Sequence, residues 1–141
     1  MAGTRFAVAT HILICLAAQQ GDEGSTSLRL AESVNTNPVV IRRISGQLAR
    51  AGLIRVRRGP GGAALAREPE RITLEDVWLA LHGPNGTPLL PLHRPSQTCP
   101  VGAKIRPALG EAFAAAERAL HRSLAATTLA AVARRLGSHI A

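Results

Sequence analysis

Aromatic residues are nearly absent. Phe6, Trp78 and Phe113 are the only three, and there is no tyrosine. Sandwiches and barrels draw on aromatic and β-branched cross-strand pairs, so this scarcity argues for close-packed helices filled by Ala, Leu, Val and Ile. Cysteine is also sparse: Cys15 and Cys99 make no disulfide framework. No apolar run reaches the ~20 residues of a membrane span. Met1-Ala2-Gly3-Thr4-Arg5 lacks the n-region and cleavage site of a secretory signal, although the stretch from Ala7 to Ala18 is fairly apolar, so the expected compartment is the cytoplasm. Acids are few, 9 against 17 basic residues, and all but one of the basic residues are arginine. The net charge of +8 points to a polyanionic partner, most often nucleic acid.

The 141 residues suffice for one compact domain or a small domain with an appended helix. Phe6, Ala9, Leu13, Leu16 and Ala17 recur at helical spacing and predict a helix from about Arg5 to Gln19. Ser25-Thr26-Ser27 offers caps for a short helix, Leu28 to Val34. After the turn Asn35-Thr36-Asn37, Pro38 suits the first position of a third helix that Asn37 would cap. That helix, to about Ala51, has an apolar stripe of Ile41, Ile44, Leu48 and Ala51, with Gly52 as its left-handed terminator. Leu53 to Arg57 alternates apolar with basic as a strand, Arg58-Gly59-Pro60-Gly61-Gly62 is a hairpin tip, and Ala63 to Ala66 returns. Thr73 and Asp76 form a capping box for a fourth helix ending near His82. A Pro- and Gly-rich loop leads to a long helix, from Pro100 or Val101 to Ala126, with the seam Ile105, Leu109, Phe113, Ala116, Leu120 and Leu124. A last short helix runs from Leu129 to Leu136.

Three helices followed by a strand, a turn and a strand give the winged helix-turn-helix order. The expected fold class is therefore mainly α: a winged helix-turn-helix domain at 1–82, a loop at 83–99, and at 100–141 a long dimerisation helix with a short terminal helix. Between Arg42 and Arg58 stand six arginines and no acid. Clustered charge of this kind neutralises DNA phosphates, and the arginine fork matches the guanine edge. An arginine beside the Gly-rich tip can enter a minor groove. An enzyme is not expected. There is no Ser-His-Asp ordering, no paired carboxylates in an apolar pocket and no phosphate loop. Glu75, Asp76 and His82 suit the two ends of a helix dipole.

Arg5-Phe6-Ala7, Asn35-Thr36-Asn37-Pro38, Leu48-Ala49-Arg50-Ala51-Gly52-Leu53-Ile54, the wing Arg58-Gly59-Pro60-Gly61-Gly62, Leu65-Ala66-Arg67 and Ile72-Thr73-Leu74-Glu75-Asp76-Val77 together resemble the Rrf2 family of winged-helix repressors. The stretch from Asn37 to Arg43 and Cys99-Pro100-Val101-Gly102 resemble its cluster-free branch. The resemblance implies a homodimer built on the long helix and double-stranded DNA as partner. It places Asn37, Val39 and Arg42 at bases or phosphates, with Arg43 and Arg57 beside them, and Arg58 with Gly59 in the wing. Ala63-Ala64 departs from the family's usual Gly and aromatic, which weakens the wing's anchoring.

Cluster-binding members carry three cysteines in the loop before the long helix, whereas only Cys99 stands there in this chain. No cofactor and no metal site is expected on that ground; an atypical iron–sulfur sensor with His or carboxylate ligands is an alternative. His11 and Cys15, four apart on one helix face, and His93 with Cys99 are weak metal-ligand pairs. Cys99 is the redox candidate, because the start of a helix stabilises a thiolate. A protein-interaction module with no operator of its own is the other alternative. A dimer of this shape could hold a small effector between the fourth and the long helix near Trp78.

Overall fold

The computed structural model describes residues 3–18, 26–57, 62–84 and 88–137. Three helices come first, α1 (Arg5–Ala18), α2 (Ser27–Val34) and α3 (Pro38–Arg50). An antiparallel hairpin follows, β1 (Ile54–Val56) and β2 (Ala63–Leu65), in the register Ile54↔Leu65, Arg55↔Ala64 and Val56↔Ala63. A 3-10 turn (Pro69–Arg71), α4 (Leu74–His82), α5 (Gly102–Ala126) and α6 (Leu129–Arg134) complete the described chain. It is a mainly helical winged helix-turn-helix fold.

The α2–α3 turn is set by local chemistry. Asn35 sits in the left-handed region at φ 60°, which asparagine tolerates. Its N–H donates to Glu32 O, and Thr36 N–H donates to Ala31 O, so two orphan carbonyls of α2 are satisfied. Asn37 Oδ1 then accepts from Val39 N–H at 2.8 Å, and Pro38 follows at the first helical position. Gly52, at φ 79°, ends α3 and turns the chain into β1.

One core joins the head. Ile12 and Leu13 of α1, Leu30 of α2, and Ile41, Ile44 and Leu48 of α3 are sealed from solvent together with Leu53, Ile72 and Val77. Each such side chain contributes about 1.5–3 kcal/mol through burial. Ala51 does not join the α3 stripe; it is exposed, because the helix ends at Arg50 and Ala51 serves as its C-cap. The chain's end returns to this core. Thr73 and Thr128 form an isolated bridge, Leu129 N–H donates to Ile72 O at 2.7 Å, and Leu129 is fully buried.

No residue of α5 is buried. Four of its contacts within the chain fall on one stripe, at spacings that return to the same helix face. Arg106 donates to His93 O, Gly110 lies against Leu92, Glu117 accepts from Leu90 N–H, and His121 meets α4. The apolar seam runs beside that stripe. Ile105, Leu109, Phe113 and Leu124 are half-exposed, Ala116 is exposed and Leu120 is 41% exposed. No helix among the described residues is long and apolar enough to cross a membrane.

Candidate nucleic-acid interface

Helix α3 has two unlike faces. Ile41, Ile44 and Leu48 hold it to the core, which fixes its rotation. Arg42 and Arg43 point to solvent, and Val39 is 52% exposed at the first turn. Asn37 stands at the head of the same face, with its side-chain oxygen committed to the cap. On the wing, Arg57 is exposed and its N–H donates to Gly62 O at 2.9 Å, extending the hairpin past β1. Arg58 and Gly59, the wing residues read from the sequence, lie outside the described residues. Ala63 packs half-buried against the core.

The start of α5 holds the exposed Cys99. The N–H groups of Gly102 and then Val101, both aimed at its sulfur, hold the thiol below the usual thiol range. No side-chain cap satisfies the first turn of α5, and the Cys99 sulfur lies where two of its N–H groups point. Gly102 permits this turn: a Cβ there would sit 2.3 Å from Ser96 O.

Other polar groups meet where sequence spacing gave no sign. His11 Nε2 lies 3.0 Å from Ser33 Oγ, and Cys15 Sγ lies 3.4 Å from the same oxygen. The expected His11–Cys15 pair thus converges on a hydroxyl from α2. These three side chains stand on the wall of an open apolar groove of about 900 Å³. Trp78 lines that groove, together with residues of α1 and α6. Two histidine rings, from α4 and α5, also meet Trp78. His82 stacks on Trp78 at 4.0 Å, His121 meets it edge-on at 6.3 Å, and His121 Nδ1 lies 2.7 Å from Glu75 Oε2. His121 and Ser33 are the residues that sequence reading missed. Only tertiary folding brings them to their partners, across 46 and 22 positions.

Burial holds the His82 imidazole below its ordinary value, and the Arg5 guanidinium pushes the same way. The unfolded chain therefore takes up this proton at a higher pH than the folded one. The stability tied to neutral His82 is complete above about pH 6.5 and is lost as pH falls through that value toward the lower folded one. His82→Phe, which keeps a ring on Trp78, is expected to flatten the fall of thermal midpoint below about pH 6.5. Circular dichroism melts across that range measure it; an unchanged slope would remove His82 from the acid limb.

The residues do not fit a thiolate-held cluster. The loop before α5 supplies one cysteine, and among the described residues no group of three or more His, Cys, Asp or Glu is placed to hold a metal ion. His93 is tied through its carbonyl to Arg106.

Residues 2–135 match the family described as Rrf2, iron-dependent transcriptional regulator. The chain is 40% identical over 130 residues to the "Putative HTH-type transcriptional regulator YwnA" of Bacillus subtilis (strain 168), covering 92% of this chain and 94% of that one. The HTH-type transcriptional regulator CymR of the same organism is 39% identical over 75 residues, 52% of this chain and 54% of that one. The crystal structure of Staphylococcus aureus CymR in its oxidised form superposes with a TM-score of 0.71 at 25% identity, over 95% of this chain and 96% of that one. These relatives are transcriptional regulators, not enzymes. A winged helix-turn-helix head, a basic free face on α3 and a match over nearly the whole length lead to one conclusion: this chain belongs to the Rrf2 family of transcriptional regulators.

Proposed function

We propose that this regulator is a cytoplasmic, homodimeric repressor that reads a specific DNA site with the start of α3 and the wing. The observation that carries the reading is the division of α3. Three apolar residues lock it to the core, while Val39, Arg42 and Arg43 remain outward beside the capping residue Asn37. A helix fixed in rotation with a basic outer face suits the major groove. Arg57, Arg58 and Gly59 would carry the wing's contacts. In this division of labour, residues 1–82 read DNA, 83–99 connect, and 100–141 dimerise, with α6 folded back onto the head. The cover for the α5 seam is a second copy of the chain, because a long helix with an apolar stripe and no buried residue lacks its packing partner.

The signal we assign is oxidation of Cys99. The thiolate attacks one oxygen of hydrogen peroxide, the O–O bond breaks, hydroxide leaves and a sulfenic acid remains. The anionic cap of α5 is lost, and α5 links the dimer seam to α4 through His121 and Glu75. Selection of bound fragments from random DNA, with reduced and with peroxide-treated protein, tests both parts. The expected result is a two-fold symmetric site enriched by reduced protein and weakened by oxidation, with Cys99→Ser indifferent to peroxide. Failure to enrich any site rejects operator binding. Equal enrichment by protein shown by mass spectrometry to be oxidised at Cys99 rejects the switch.

A further inference from the structure

A second basic surface lies behind the wing. Along β1 the side chains alternate between faces. Val56 shares a groove with Ile41, Arg42 and Ala49 of α3, whereas Arg55 turns to the opposite face. There Arg55, Arg67 and Arg71 line one open groove of about 520 Å³, with Leu16 and Leu65 among its apolar walls. The three guanidiniums come from the wing strand, the segment after β2 and the 3-10 turn. Gathering them costs like-charge repulsion, yet Glu68 is the single carboxylate among the lining residues. Asp76, outside the groove, approaches Arg67 at 3.7 Å, and among the described residues no carboxylate pairs with Arg55 or Arg71.

Arginine forks bind carboxylate and phosphate groups two bonds at a time, and the groove has the volume of a small-ligand site. We propose that this groove is an anion site for a small polycarboxylate or phosphate-bearing molecule, whose bound form ties the wing strand to the segment leading into α4. A duplex docked on α3 meets the other face of the hairpin, so DNA phosphates are the less suited occupant. An effect of the ligand on wing position and operator affinity rests on the DNA-reading role proposed above; binding of the anion does not, and it is measured without DNA.

Calorimetric titration of the full chain with citrate, and separately with inorganic pyrophosphate, at ionic strength held constant with sodium chloride, is expected to show saturable binding of at least one. The two probes distinguish carboxylate from phosphate recognition. Arg55→Gln with Arg71→Gln is expected to weaken that binding by about tenfold or more, with an unchanged circular dichroism spectrum. Arg67 is kept because it also holds Asp76. No saturable binding of either anion, or equal binding by the double variant, overturns the proposal. If neither anion binds and the double variant loses affinity for duplex DNA, the groove is part of the DNA surface and the proposal falls.

Discussion

A chain carrying Phe113→Glu and Leu120→Glu is expected to remain folded but to sediment as a monomer. Neither residue belongs to the core that joins α1, α2, α3, α4 and α6, so the head keeps its packing. Both lie on the α5 seam, where Leu120 is 41% exposed and Phe113 half-exposed. Burying a Phe or Leu side chain is worth about 1.5–3 kcal/mol. A two-fold interface uses each position twice, so removing both forfeits roughly 6–12 kcal/mol before any charge repulsion is added. The dimer dissociation constant should rise by at least about a thousandfold. Sedimentation equilibrium measures this, and circular dichroism checks that the helices persist. A variant that stays dimeric with native helicity places the interface elsewhere. A monomer should also lose tight operator binding, since each head then meets only one half-site.

The parts of the fold legible in the sequence are those written in short-range chemistry. Asn37 before Pro38, Gly52 after Arg50, and Thr73 three residues before Asp76 each satisfy backbone groups within a few positions. The structure shows each doing so. The strand pattern from Leu53 likewise rests on period-two alternation, and β1 lies within it. Contacts between distant segments left no such trace. Nothing near Leu129 announces that its N–H closes onto Ile72 O, or that α6 completes the core of the head. The surroundings of Trp78 were hidden for the same reason. The spacing of α5 gave a seam but not the places of His121 and His82, whose rings crowd Trp78. In the candidate interface, the exposure of Val39, Arg42 and Arg43 follows from the α3 stripe alone, because fixing Ile41, Ile44 and Leu48 inward leaves those three outward. The arginine groove was not legible, since Arg55 stands on β1 and Arg67 and Arg71 follow β2, and only closure of the hairpin brings them to one groove.

Replacing Arg42 or Arg58 by alanine is expected to weaken binding to the selected operator by about 1–3 kcal/mol each, roughly 5- to 150-fold. The salt dependence separates their roles. A phosphate contact releases counterions, so its loss should weaken all duplexes alike and lower the slope of log K against log salt by about one. A base contact carries sequence information, so its loss should relax specificity at one position while leaving nonspecific binding near the original level. Arg42 sits a turn into α3, on the outward face beside Val39, and is expected to behave as a base or near-base contact. Arg58, adjoining the Gly-rich tip, is expected to read minor-groove width, with its largest effect at A·T-rich flanks. The control is Arg118→Ala, an exposed α5 position that removes the same charge from the chain. Fluorescence anisotropy at several salt concentrations measures all three variants. If Arg118→Ala matches the other two, the effect is net charge and not docking. If affinity survives both Arg42→Ala and Arg58→Ala, the docking of α3 and the wing is wrong, and another face of the molecule must meet the operator.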